Sequence, residues 1–78
     1  MTEDSPMGEP FYFDGEKLYD IEQNGLWDIC RAVHKDGRWK NLWVAFDHDN
    51  DDYRCRARSK RKILKLLKEG RKMPRTRR

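Results

Sequence analysis

The amino-acid sequence predicts a mainly β domain, a twisted antiparallel meander or small barrel, closed by one C-terminal basic amphipathic helix at about residues 60–69. Three observations predict it. Turn dipeptides punctuate the chain at Asp14-Gly15, Asn24-Gly25 and Asp36-Gly37, followed by the polar run 47–52. Between them lie short apolar pieces, FYF, KLYDI, LWDICRAVH, WKNLWVAF and YRCRA, the pattern of strands joined by tight turns. After Arg58 the apolar spacing changes from every second residue to the helical 3.6.

The apolar residues cluster between Phe11 and Leu67, so residues 1–10 read as a flexible acidic arm, 11–70 as a single small domain and 71–78 as a basic disordered tail. One segment has two readings. In 26–34, Leu26, Ile29, Cys30 and Val33 fall at i, i+3, i+4 and i+7, an amphipathic-helix template, and as a strand Arg31 interrupts the face of Trp27, Ile29 and Val33. The pattern by itself favours a helix there. The next piece is plainer: Leu42, Val44 and Phe46 alternate with Trp43 and Ala45 in a run too short for a useful helix. In YRCRAR, alternation places Tyr53, Cys55 and Ala57 toward the core and Arg54, Arg56 and Arg58 on one outward face. Ser59 then reads as a helix N-cap. Ile63, Leu64, Leu66 and Leu67 form an apolar stripe, Arg61, Lys62, Lys65 and Lys68 take the other side, and Gly70 and Pro74 stop the helix. The first turn carries Lys60, Arg61 and Lys62, the wrong sign for a helix N-terminus, at about 0.3–1 kcal/mol each. An anionic ligand would offset that cost, and exposure with salt screening would also remove most of it.

Composition narrows the class. With 78 residues, 41% of them charged, the chain has material for one thin core. No apolar run is long enough to span a membrane, so no membrane partner is expected, and the acidic first ten residues do not read as a signal peptide. Cys30 and Cys55 are too few for a disulfide scaffold and read as reduced thiols of an intracellular protein, nuclear in a eukaryote and cytoplasmic in a bacterial or viral setting. The formal charge of +4 conceals a steep polarity. Residues 1–28 carry Glu3, Asp4, Glu9, Asp14, Glu16, Asp20, Glu22 and Asp28 against Lys17 alone, whereas residues 53–78 set thirteen bases against Glu69. Such asymmetry speaks to partners rather than to fold.

With the turns placed, Gly15 to about Ile63 resembles a Tudor-type SH3-like barrel. The matching features are Gly15-Glu16 before KLYDI, a turn glycine before an aromatic in Gly25-Leu26-Trp27, the small-residue strand ICRAV, and a strand ending in aromatic plus acid, LWVAFDHD. The resemblance implies that 26–34 is a strand. It also implies a reader of methylated lysine or arginine-rich peptides, histone tails among them, through an aromatic cage of Trp27, Phe46 and Tyr53. The remaining cage wall falls near Ile21, Glu22 or Asp28, none of them aromatic. The terminal KRKILKLLKEG departs from the family, and a barrel followed by a C-terminal helix is similar to the small archaeal chromosomal DNA-binding proteins.

The residues themselves point to a non-enzymatic module that contacts DNA, RNA or chromatin. Arg54, Arg56, Arg58, Lys60, Arg61, Lys62, Lys65, Arg71, Lys72, Arg75, Arg77 and Arg78 are expected to meet the phosphate backbone, each neutralised phosphate releasing a counterion. Trp27, Trp39, Trp43 and Tyr53 would add stacking on unpaired bases, against their use in building so small a core. A small regulator that binds a host protein is the remaining alternative. Cys30-x3-His34 and His48-x6-Cys55 have no zinc-finger spacing, and the calcium-like run 47–58 has Asp52 at the glycine position and Arg58 at the glutamate position, so neither metal nor cofactor is expected. The chain has no nucleophile–histidine context and no phosphate-binding glycine loop to suggest an enzyme.

Overall fold

In the computed structural model, which describes residues 8–70, each predicted turn joins two strands. The expected arm residues 1–7 and the tail residues 71–78 lie outside the described residues. Strands β1 (Phe11–Phe13), β2 (Glu16–Asn24), β3 (Trp27–Val33), β4 (Trp39–Asp47) and β5 (Asp52–Ala57) precede helix α1 (Lys60–Glu69). They pair antiparallel in chain order, β1-β2-β3-β4-β5, as one curled half-barrel, compatible with an SH3-like meander. Between Phe13 and Glu16, Asp14 and Gly15 have φ of 54° and 79°, the double positive φ of a tight hairpin whose twist matches its strands.

Segment 26–34 is a strand from Trp27, and the helical period there misleads for a physical reason. Ile29, Cys30 and Ala32 are all fully buried, because both faces of β3 are covered, so the alternation of a half-buried strand is erased. Leu26, the first member of the apparent helical stripe, is 76% exposed in the hairpin turn.

Of three register irregularities in the sheet, one of them between Arg31 and Val33 in the β3–β4 pair, the bulges in β2 and β5 set which residue faces which side around the sites below. The β2–β3 register moves from Asp20↔Cys30 to Glu22↔Ile29, leaving Ile21 as the extra residue. The β4–β5 register moves from Ala45↔Cys55 to Phe46↔Tyr53, leaving Arg54 as the extra residue. A bulge puts two consecutive side chains on one face and breaks strict alternation. Tyr53 and Cys55 therefore lie in different clusters, rather than together on the core face.

On one side of the sheet, Ile21, Ile29, Trp43, Ala45 and Cys55 pack against Ile63 and Leu66 of α1. The other side holds Leu18, Cys30, Ala32, Val44, Phe46 and Tyr53 beneath Phe11 and Phe13. Strands β1 and β5 pair only with β2 and β4, so side chains close the half-barrel where hydrogen bonds do not. The Phe13 ring lies 5.4 Å from Tyr53 and 5.0 Å from Phe46, and Asp14 reaches Arg56 at 3.7 Å.

Helix α1 begins where its cap requires. Ser59 has extended backbone and accepts the Lys62 N–H at 3.2 Å. Gly70 ends it in the left-handed conformation, φ 74°, donating its N–H to the carbonyls of Leu66 and Leu67.

Candidate nucleic-acid interface

The expected basic face separates into cations that hold the fold and cations that face solvent. Arg54, the bulged residue, turns to the helix side. Its guanidinium stands 5.5 Å over the Trp27 ring and beside Gly70, and its buried Nε has no acceptor among the described residues. Arg56 points to the other side and pairs loosely with Asp14. The single outward row of Arg54, Arg56 and Arg58 expected from alternation is thus split, the bulge at Arg54 being the cause. Lys60 is drawn from the helix to β2, its Nζ donating to Glu22 at 2.9 Å.

Arg58, Arg61, Lys62, Lys65 and Lys68 remain exposed, and none has a carboxylate in ion-pair range among the described residues. Positions 61, 62, 65 and 68 fall on one side of a 3.6-residue helix, opposite buried Ile63 and Leu66. The first turn of α1 holds no acid to offset Lys60, Arg61 and Lys62. Arg71, Lys72, Arg75, Arg77 and Arg78 lie outside the described residues.

The three expected cage aromatics do not meet. Trp27 packs on the helix side under Arg54, whereas Phe46 and Tyr53 are 4% and 5% exposed on the other side beneath Phe13. The tryptophans instead pair with arginines, for Arg31 stands 5.5 Å over Trp39 and 5.0 Å over Trp43 while its Nε donates to the Lys40 carbonyl at 2.8 Å. This contact accommodates Arg31 on a strand face that otherwise carries apolar side chains.

A second polar constellation went unread in the sequence. Asp20 and Cys30 are cross-strand partners, and His48 follows β4 into the same space. The Cys30 thiol donates to Asp20 Oδ1 at 3.1 Å, and His48 Nε2 is 2.9 Å and 3.1 Å from the two Asp20 oxygens. Asp28 Oδ2 is 3.9 Å from the same nitrogen. Burial, with Asp20 as the next cause, holds the Asp28 carboxyl above its usual range against the opposing pull of His48. Burial first, then the Asp20 hydrogen bond, pushes the Cys30 thiol far up. The adjacent loop is ordered by buried Asp47, which accepts from the Asp49 N–H at 3.1 Å and the Asn50 side chain at 2.7 Å, so the polar run forms a hairpin as expected, with residues 48–51 as its loop between paired Asp47 and Asp52. His34 lies on another loop and Cys55 on the opposite side of the sheet, so neither sequence pair, Cys30 with His34 or His48 with Cys55, forms part of this cluster.

Comparison with protein-family models, with curated proteins and with solved structures finds no match to this chain.

Proposed function

We propose that this chain is a non-enzymatic nucleic-acid-binding module that meets the phosphate backbone with the solvent face of α1. The observation that carries the reading is the stripe of Arg61, Lys62, Lys65 and Lys68 with Arg58 beside it, exposed and unneutralised among the described residues. The cations Arg54 and Lys60 act indirectly, fixing the helix against the sheet through Trp27 and Glu22. The sequence continues from the helix into five further bases, which extend the same charge. This contact is electrostatic, and it discriminates little between sequences.

Titration with duplex DNA and with single-stranded RNA over a series of salt concentrations tests it. Five neutralised phosphates give a log K against log salt slope of about −4.5 on duplex DNA. A slope near zero, or no binding at low salt, rejects the reading.

A second reading, a small regulator that binds another protein, has one observation in its favour. Exposed Leu26 stands beside Trp27, Leu64 and Leu67 around a shallow groove at the end of α1. Loss of a protein partner in Leu26→Asp, with nucleic-acid binding unchanged, separates the two readings.

A further inference from the structure

The cluster beside the β4–β5 loop is the strongest feature that nucleic-acid contact leaves unexplained. Three different donor atoms converge there, Asp20 carboxylate oxygen, Cys30 Sγ and His48 Nε2, all within 4.8 Å of one another. The fold brings them together from separate places. The bulge at Ile21 sets Asp20 opposite Cys30, and the turn after β4 returns His48 over both. The His48 ring is held edge-on by Phe11, centroid to centroid 4.5 Å, and by Phe46 at 5.2 Å, so its Nε2 is aimed rather than free to swing. Asp28 shares Cys30's strand face two residues away, and its Oδ2 stands 3.9 Å from His48 Nε2, just outside the three-residue cluster. Cys30 is fully buried, while the His48 side chain is 37% exposed and leaves a route from solvent.

We propose that Asp20, Cys30 and His48, with Asp28 as the fourth donor, bind one divalent transition-metal ion of zinc type. The donor chemistry selects the metal class. A thiolate and an imidazole favour zinc or cobalt over calcium or magnesium, which take oxygen ligands. The dimensions are compatible. A tetrahedron with bonds of roughly 2.0–2.3 Å has edges of about 3.5 Å. The Asp20–His48 and Asp20–Cys30 separations of 2.9 Å and 3.1 Å spread slightly, the Cys30–His48 separation is already within 4.8 Å, and Asp28 turns inward to complete the set, movements open to half-buried Asp20 and Asp28 and to His48 at the surface. On binding, the Cys30 thiol releases its proton to solvent, the thiolate and the neutral His48 Nε2 donate lone pairs, and the hydrogen bonds among the three groups give way to metal bonds. The ion ties β2, β3 and the end of β4 together. This site is independent of the helix face, so its test does not rest on nucleic-acid binding.

The test is a titration of the metal-freed full chain with Co2+, followed by visible and near-ultraviolet absorption, and then displacement by Zn2+. The expected result is one equivalent bound with a thiolate-to-cobalt charge-transfer band, and a higher melting temperature with Zn2+. Cys30→Ser loses the band and Cys55→Ser keeps it. His48→Ala, which removes a half-exposed ring from the edge of Phe11 and Phe46 and leaves the helix-side cluster untouched, weakens Zn2+ binding by more than ~100-fold, beyond the loss of an outer-shell partner. Absence of both the band and the thermal shift in the wild-type chain overturns the proposal. So does a band that survives in Cys30→Ser, or a His48→Ala protein that binds Zn2+ as tightly as the parent.

Discussion

Exchanging single cations for glutamine separates the two classes of basic residue by magnitude as well as by kind. Lys65 lies on the exposed side of α1 with no ion-pair partner among the described residues, and glutamine is a comparable helix former. Lys65→Gln therefore leaves stability within about 0.5 kcal/mol and reduces the salt slope of duplex binding by about 0.9. Glutamine at Arg61, Lys62, Lys65 and Lys68 together removes roughly 3.6 of the slope. Arg54→Gln behaves in the opposite way. It loses the guanidinium over Trp27, about 0.5–1 kcal/mol, and a cation at the C-terminus of α1, about 0.3–1 kcal/mol. Together these come to roughly 1–2 kcal/mol of stability with the slope unchanged. Fluorescence anisotropy against a labelled duplex over a salt series, beside urea unfolding of each variant, measures both quantities. The reasoning is refuted by an Arg54→Gln protein that keeps its stability while losing as much slope as Lys65→Gln.

Phe13→Ala removes the one ring that stacks at 5.4 Å on Tyr53 and stands 5.0 Å from Phe46, and is expected to cost about 2–3 kcal/mol in urea unfolding. A loss below about 0.5 kcal/mol means that side chains do not close the half-barrel between β1 and β5. Ser59→Ala deletes the Lys62 cap and lowers stability by about 1 kcal/mol, read as an earlier thermal transition. The Arg38 N–H, and then the Arg38 guanidinium, hold the Asp36 carboxyl below its usual value of 3.8. Its ionised form thus favours the fold above that value, and the gain is lost as pH falls through the lowered folded value. Asp36→Asn is accordingly less stable than the parent at neutral pH, and the difference closes in acid; a constant difference across that window contradicts the assignment.

The helix was the most legible element because its signals are local. Ser59, the Ile63–Leu67 stripe and Gly70 specify start, buried face and stop within twelve residues, and the structure places α1 at Lys60–Glu69. The hairpins were legible from Asp14-Gly15 and Asn24-Gly25 for the same reason. Side-chain direction in the strands was not, because a bulge is a property of two paired strands. Carried unbroken from the Asn24↔Trp27 end of the hairpin, the register would set Ile21 opposite Cys30. The extra residue puts Asp20 there instead, and with it the cluster that includes His48. The bulge at Arg54 likewise moves that arginine from the expected outward row onto Trp27. Both slips reverse faces without changing composition or period, so no count of alternating residues reveals them. Segment 26–34 failed for a different reason: burial of Cys30 on one side and Ile29 on the other leaves no polar face to define the period.

The same topology keeps the two proposed surfaces apart. Asp20, Cys30 and His48 cluster on the side of the sheet roofed by Phe11 and Phe46, whereas α1 covers the other side through Ile63 and Leu66. A helix is about 10 Å across, so cations on its solvent face stand farther than one helix diameter from the opposite sheet surface. That exceeds the screening length of about 8 Å at physiological salt. An ion bound by the cluster therefore changes the potential at Lys65 or Lys68 very little, and the acids around His48 subtract little from attraction at the helix. What the acids do contribute is direction. A polyanion approaching the β4–β5 loop, with Asp49, Asp51 and Asp52 beside Asp47, is repelled, and one approaching α1 is attracted. Nucleic-acid affinity should then be the same with and without bound zinc, while association orients the domain helix-first.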